Sequence, residues 1–228
     1  AIAVPTVATA IAALVVAVLV VDPPRPERPV GVSRRHANPY RGNGYLARIH
    51  AVSVLLVVPQ FVVWTFALVW LVQDRDWSAA AAGAVVAVAQ LFGALGRIAV
   101  GQLSDVVSSR MQPLRWVALA AAAVMLLLGA TAGVGWWVAV PLMVLATVLT
   151  VADNGLAFTA VAERAGPFWS GRALGIQNTA QFLASSLVPP LGGLAVAAAG
   201  FPWAFALAAL FPVLAAPLVP VGGERELT

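Results

Sequence analysis

The chain has 228 residues, 61% of them hydrophobic and only 10% charged, with no cysteine and a formal net charge of +4. A mean hydropathy of +0.93, far from the roughly 25% charged content of soluble domains, marks an integral membrane protein, and the missing cysteines exclude disulfides, thiol chemistry and Cys-based metal sites. All 13 basic residues are arginine; they sit in gaps between apolar runs rather than clustering with aromatics, which argues against nucleic acid as a partner.

The chain opens inside an apolar run, "AIAVPTVATAIAALVVAVLVV", over residues 1–21. The run is too long for a signal-peptide core and lacks a basic residue before it and a small-x-small cleavage site after it. It reads as a transmembrane helix whose preceding sequence is missing. Residues 22–49 read as a solvated, mobile linker, because "DPPRPERPVGVSRRHANPYRGNGYLAR" carries prolines, glycines and charges that exclude a buried helix. A bilayer core of about 30 Å takes about 20 apolar residues per helix. The rest of the chain therefore predicts six further spans in a bundle over 50–221, at 50–72, 79–100, 116–134, 137–158, 173–199 and 202–221, with a tail over 222–228. The fold class is all-α, a polytopic membrane helix bundle whose short gaps make sequential helices antiparallel neighbours.

The arginines orient it. Arg25, Arg28, Arg34, Arg35, Arg41 and Arg48 share the linker, while Arg97, Arg110, Arg115, Arg164, Arg172 and Arg225 fall on the same side and Arg75 alone on the other. By the positive-inside rule the linker and the C-terminus are cytoplasmic. Tryptophans 77, 116, 136, 137, 169 and 203 mark helix ends as interfacial anchors; Trp64 does not. Arginine without a single lysine, amid abundant Ala, Val, Gly and Pro, is the usage of a GC-rich bacterial genome, so the expected location is a bacterial inner (cell) membrane.

Side chains that are costly in hydrocarbon must face protein or a wet cavity, and this sorts the spans. In the second, Ser53, Gln60 and Trp64 fall within an arc of about 40°, which His50 extends to about 80°. The third carries Gly83, Gln90, Arg97 and Gly101 along one stripe. The fifth groups Thr147, Thr150 and Asn154 with Asp153 at their edge, and the sixth groups Gln177, Asn178, Gln181 and Ser185. The first, fourth and seventh offer only Thr6, Thr9 and Thr131. This period of three implies two three-helix units, each with two cavity-lining helices and one support helix, as in half of a transporter.

"GQLSDVVSSR", residues 101–110, resembles the loop signature of the Major Facilitator Superfamily, G-x-L-(small)-D-(R)-x-G-(R)-(R/K). Gly101, Leu103, Ser104, Asp105 and Arg110 match it, whereas Val106 and Ser108 replace the expected Arg and Gly. The stretch is similar to the degenerate copy between helices eight and nine, and "ERAGPFWSGRALG" over 163–175 resembles the connection between helices ten and eleven. The resemblance implies a C-terminal six-helix domain, preceded by helix six and the central linker, with an N-terminal half (helices one to five) absent. It also implies a conformational latch at the loop, with Gly101 allowing close backbone approach, Asp105 facing a helix N-terminus, and Arg97 and Arg110 as charge partners. The competing reading is a tight turn whose arginines only fix topology.

Gln60, Trp64, Gln90, Asn154, Gln177, Asn178 and Gln181 are the candidate substrate-cavity residues; interhelical hydrogen bonding is the alternative for the last three. Asp153 is the coupling candidate, for protons or a substrate cation, unless its helix ends early and it meets headgroup water. Arg97 stands one turn from the expected loop and can snorkel there. "SSLVPPLGG" is expected to break or kink its helix, and His50 reads as an interface residue. No metal, nucleophile-turn or phosphate-loop motif is present, so no enzyme activity, cofactor or metal is expected. The expected function is secondary active transport of a small-molecule substrate, with protons as candidate coupling ion and the lipid bilayer as surroundings. Alternatives are a non-transporting subunit that pairs with a separately encoded half, or a truncated fragment; neither substrate nor direction is legible.

Overall fold

The computed structural model describes residues 3–21, 38–41 and 44–224. Most of the expected linker, with Arg25, Arg28, Arg34 and Arg35, and Arg225 in the tail lie outside these residues, as does the expectation that the linker is mobile. The chain divides at Ala37 into two units. The first contains helix α1 (Ala3–Leu19), whose 17 residues rise about 25 Å, short of a full hydrocarbon core.

The second unit is a bundle of α2 (Tyr45–Gln73), α3 (Ala79–Val106), α4 (Met111–Gly133), α5 (Ala139–Ala165), α6 (Ser170–Ala199), α7 (Phe201–Ala208) and α8 (Leu210–Leu218). Six stretches are long and apolar enough to cross a membrane, the last being Phe201–Gly223, which spans α7, α8 and a closing 3-10 turn. Most helices outrun the sequence expectation. α2 starts five residues before 50, directly after Gly44 at φ 65°, because Arg48 belongs to the helix and donates from Nε to the Leu218 carbonyl at the end of α8 (2.9 Å). α3 passes 100 and runs through most of the loop signature, stopping at Val106. α5 continues to Ala165 and ends on Gly166 at φ 72°. The two consecutive prolines do not break α6, which stays helical across Pro189 and Pro190. The interruption falls instead at Ala209, where Pro212 has no N–H for the Ala208 carbonyl.

Two apolar clusters hold the bundle. One gathers Trp70, Met125, Leu128, Met143 and Phe205, with the Trp70 and Phe205 rings edge to face at 5.7 Å; the other gathers Tyr45, Ile49, Met111, Leu114 and Leu156. Small residues set how closely the helices approach, as expected where lipid gives little hydrophobic drive for association. A Cβ at Gly96 of α3 would meet Val148 Cγ1 at 2.6 Å, and one at Gly129 of α4 would meet the Pro202 carbonyl at 2.7 Å. At the end where α2 and α4 finish, Arg75 donates to the carbonyls of Gly135 (2.8 Å) and Trp136 (3.2 Å), tying two loops together.

Candidate functional site

Between α2, α3, α5 and α6 lies a cavity of about 250 Å³, lined by Gln60, Trp64, Arg97, Asn154, Asn178 and Gln181 with Val57, Phe61, Phe158 and Phe182. Four helices each send side chains to it because their polar residues recur at helical spacing and so stack on one face. A chain of amides runs across its wall: Asn154 Nδ2 donates to Gln60 Oε1 (2.9 Å) and Gln181 Nε2 donates to Asn154 Oδ1 (3.3 Å). Gln60 and Gln181 are buried, whereas Trp64 is 41% exposed at the rim and leans on Phe61, ring centroids 5.4 Å apart.

Six of the sequence-selected residues meet in this cavity; others do not. Gln90 is exposed on α3 outside it. Thr147 and Thr150 donate to the Met143 and Ala146 carbonyls one turn back (3.0 and 2.7 Å) and are locally satisfied. Gln177 is fully buried and turns toward His50, whose Nδ1 lies 2.9 Å from Gln177 Oε1. His50 is buried five residues into α2. Its Nε2 meets the Tyr40 hydroxyl at 2.8 Å, and burial pushes the Tyr40 phenol above its ordinary range.

Asp153 is 2% exposed and stands twelve residues, roughly 18 Å, before the end of α5. The alternative in which its helix ends early is therefore corrected. Arg97 stands nine residues, roughly 13 Å, before the end of α3, more than the one turn from the loop that the sequence suggested. No ion pair joins it to Asp153.

The charged stretch at the end of α3 forms a separate knot. Arg110 bonds Asp105 and Ser104 Oγ and approaches Glu163 of α5 at 3.4 Å. Burial works against the Arg110 charge, but the Asp105 hydrogen bond and the Glu163 and Asp105 carboxylates outweigh it and raise its pKa. Asp105 lies in the last turn of α3, and the helix that the resemblance sets against it belongs to the N-terminal half. Within the bundle, the start of α4 is capped by Glu224, which accepts from Ser109 Oγ and from the backbone N–H groups of Arg110 and Met111. One expectation is corrected within the bundle. Gly101 sits inside α3, and a Cβ there would meet nothing within 4 Å, because close approach to α5 occurs a turn and more earlier.

A profile described as Major Facilitator Superfamily matches residues 1–189. The chain belongs to that superfamily. It is 51% identical over 217 residues to the uncharacterized MFS-type transporter Rv2994 of Mycobacterium tuberculosis (strain ATCC 25618 / H37Rv), and 50% identical to the uncharacterized MFS-type transporter MT3072 of strain CDC 1551 / Oshkosh. Each alignment covers 95% of this chain and 49% of the relative, so the chain spans about half the length of the curated relatives it matches. No solved structure is significantly similar to it.

As a superfamily member, a multi-pass membrane protein of a transporter family, the chain keeps its amide-lined cavity among the helices that sequence periodicity singled out. Periodicity missed the aromatics Phe61, Phe158 and Phe182, each within one helical turn of a cavity amide, and that spacing could have found them. It also missed Glu163, Glu224 and Tyr40, whose partners are ten to more than a hundred residues distant; no local pattern points to them.

Proposed function

We propose that the chain is the C-terminal half of a secondary active transporter: helix six, a central linker and helices seven to twelve, working against an N-terminal half made of helices one to five. A small solute crosses by alternating access. Gln60, Trp64, Asn154, Asn178 and Gln181 contact it, Asp153 carries the coupling proton, and the Asp105–Arg110 knot biases the exchange between inward- and outward-facing states. The linker and C-terminus are cytoplasmic in a bacterial inner membrane, as the arginine bias requires.

One observation carries this reading. α3 and α6 have the fewest buried residues of the long bundle helices, and their open faces present Gln90, Arg97 and Asn178 beside Leu91, Phe92 and Leu183. An arginine at the centre of a lipid-facing helix costs about 2.5–3.5 kcal/mol or more. A second half enclosing a wet cavity removes that cost, and relatives twice as long leave room for one.

A labelling experiment tests it without knowledge of the solute. Asn178→Cys, in full-length protein with all other cysteines replaced, should react with a membrane-impermeant maleimide from either face of oriented vesicles. Reaction from one face only, or from neither, defeats alternating access through this cavity.

A further inference from the structure

We infer that the solute is a small organic anion with a flat apolar body, its charge held by Arg97 and its body by the aromatic wall; this rests on the cavity being the solute site. Arg97 is the one charged side chain among the residues lining the cavity. Five other arginines of the bundle are engaged: Arg48 and Arg75 on backbone carbonyls, Arg110 on Asp105 and Ser104, Arg164 over the Tyr45 ring and Arg172 over the Trp169 ring; Arg115 is exposed near the start of α4, outside this cavity. Among the described residues Arg97 makes neither hydrogen bond nor ion pair. It stands nine residues before the end of α3, and the buried Asp153 forms no ion pair with it. A guanidinium with five N–H donors and no acceptor, held in a cavity without a partner, is matched to a ligand oxyanion.

The amides do not choose the sign of the charge. The two bonds within the wall, Asn154 to Gln60 and Gln181 to Asn154, use as many N–H groups as oxygens, so the wall offers a ligand donors and acceptors alike and the charge preference falls to Arg97. Beside the amides on the same helices, Phe61, Trp64, Phe158 and Phe182 also line the cavity, a lining suited to a planar hydrocarbon rather than to a sugar or a peptide backbone. A cationic solute would be repelled by Arg97, and no residue of the lining carries negative charge to offset that.

The test is calorimetric titration of the full-length protein in phosphatidylcholine nanodiscs with three probes of one shape: naphthoate, naphthamide and naphthylmethylamine. Naphthoate should bind about tenfold or more tighter than the other two, the scale of one charge-assisted hydrogen-bonded contact. Arg97→Gln should erase that preference and Arg97→Lys should keep part of it. Equal binding of the three probes, no naphthoate binding up to millimolar concentration, or a preference that survives Arg97→Gln overturns the inference. Loss of naphthoate binding when phosphatidylglycerol replaces phosphatidylcholine also overturns it, by assigning Arg97 to a lipid headgroup. Gln60→Ala separates the two readings: if it weakens all three probes alike while no charge preference exists, the cavity stands and only the anion is lost. If Gln60→Ala leaves every probe unchanged, the cavity reading itself fails.

Discussion

Which carboxylate serves which helix decides the energetics of the charged knot. Glu224 accepts from two backbone N–H groups at the start of α4 and from Ser109 Oγ, so it fills the capping role that four unpaired N–H groups create at any helix start. Glu163 lies 3.4 Å from Arg110 and is 44% exposed, where an ion pair contributes little. Glu224→Ala should therefore destabilise the full-length protein by about 0.5–2 kcal/mol, and Glu163→Ala by less than about 0.5 kcal/mol, read as unfolding midpoints in one detergent. Equal losses would remove Glu224 from the cap. The comparison also shows what a sequence carries at this scale. Gln60, Asn154 and Gln181 were legible because a polar residue in an apolar helix announces itself and the 3.6-residue period fixes its face. Gln177 was assigned to the same wall as Asn178 and Gln181, and it does share a face with Gln181, four residues on, but it lies one turn nearer the start of α6 and there meets His50 rather than the cavity. Glu224 has no such marker, since an acid in a polar tail is unremarkable until the fold brings α4 to it.

At the scale of elements, the spans were legible by length and hydropathy while their ends were not, because charged residues at a helix end look like loop in one dimension. Asp105 and Arg110 close a helix end by bonding each other across the turn that separates α3 from α4, and Arg48 closes another by reaching the carbonyls of α8. Prolines misled in the opposite direction, since α6 stays helical through Pro189 and Pro190, both on its exposed side. Close helix approach was assigned to the wrong glycine. A Cβ at Gly129 would stand 2.7 Å from the Pro202 carbonyl and 2.8 Å from Ala206 Cβ, both on a helix that cannot yield without moving as a whole, whereas one at Gly101 meets open space. Gly129→Ala should accordingly cost about 1–3 kcal/mol and lower the melting temperature in detergent, with Gly101→Ala near wild type. A stable Gly129→Ala protein would show that α4 and α7 are less tightly joined than these distances require.

At the scale of the whole molecule, the knot and the cavity lie at different depths of one helix: Asp105 follows Arg97 by eight residues, roughly 12 Å along α3. On the proposed alternating-access reading, a change at Asp105 can therefore reach the solute only by altering the balance between the two access states. Its carboxylate is 67% exposed and shares Arg110 with Ser104 and Glu163, so its loss leaves the arginine partly engaged. An exposed pair of this kind is worth about 0–1 kcal/mol, which limits the shift in the inward-to-outward ratio to about fivefold. Asp105→Asn should move the ratio of Asn178→Cys labelling from the two faces of the membrane by up to that factor while leaving naphthoate affinity within about twofold once state populations are accounted for. Gln60→Ala should do the reverse, since it removes a wall amide and touches no loop. The two readouts are taken on the same vesicles. An Asp105→Asn protein with an unaltered labelling ratio and unaltered turnover would reduce the knot to a device that fixes topology, and a Gln60→Ala protein that shifts the ratio without losing affinity would make the amide chain a strut between α2, α5 and α6 rather than a wall of the solute site.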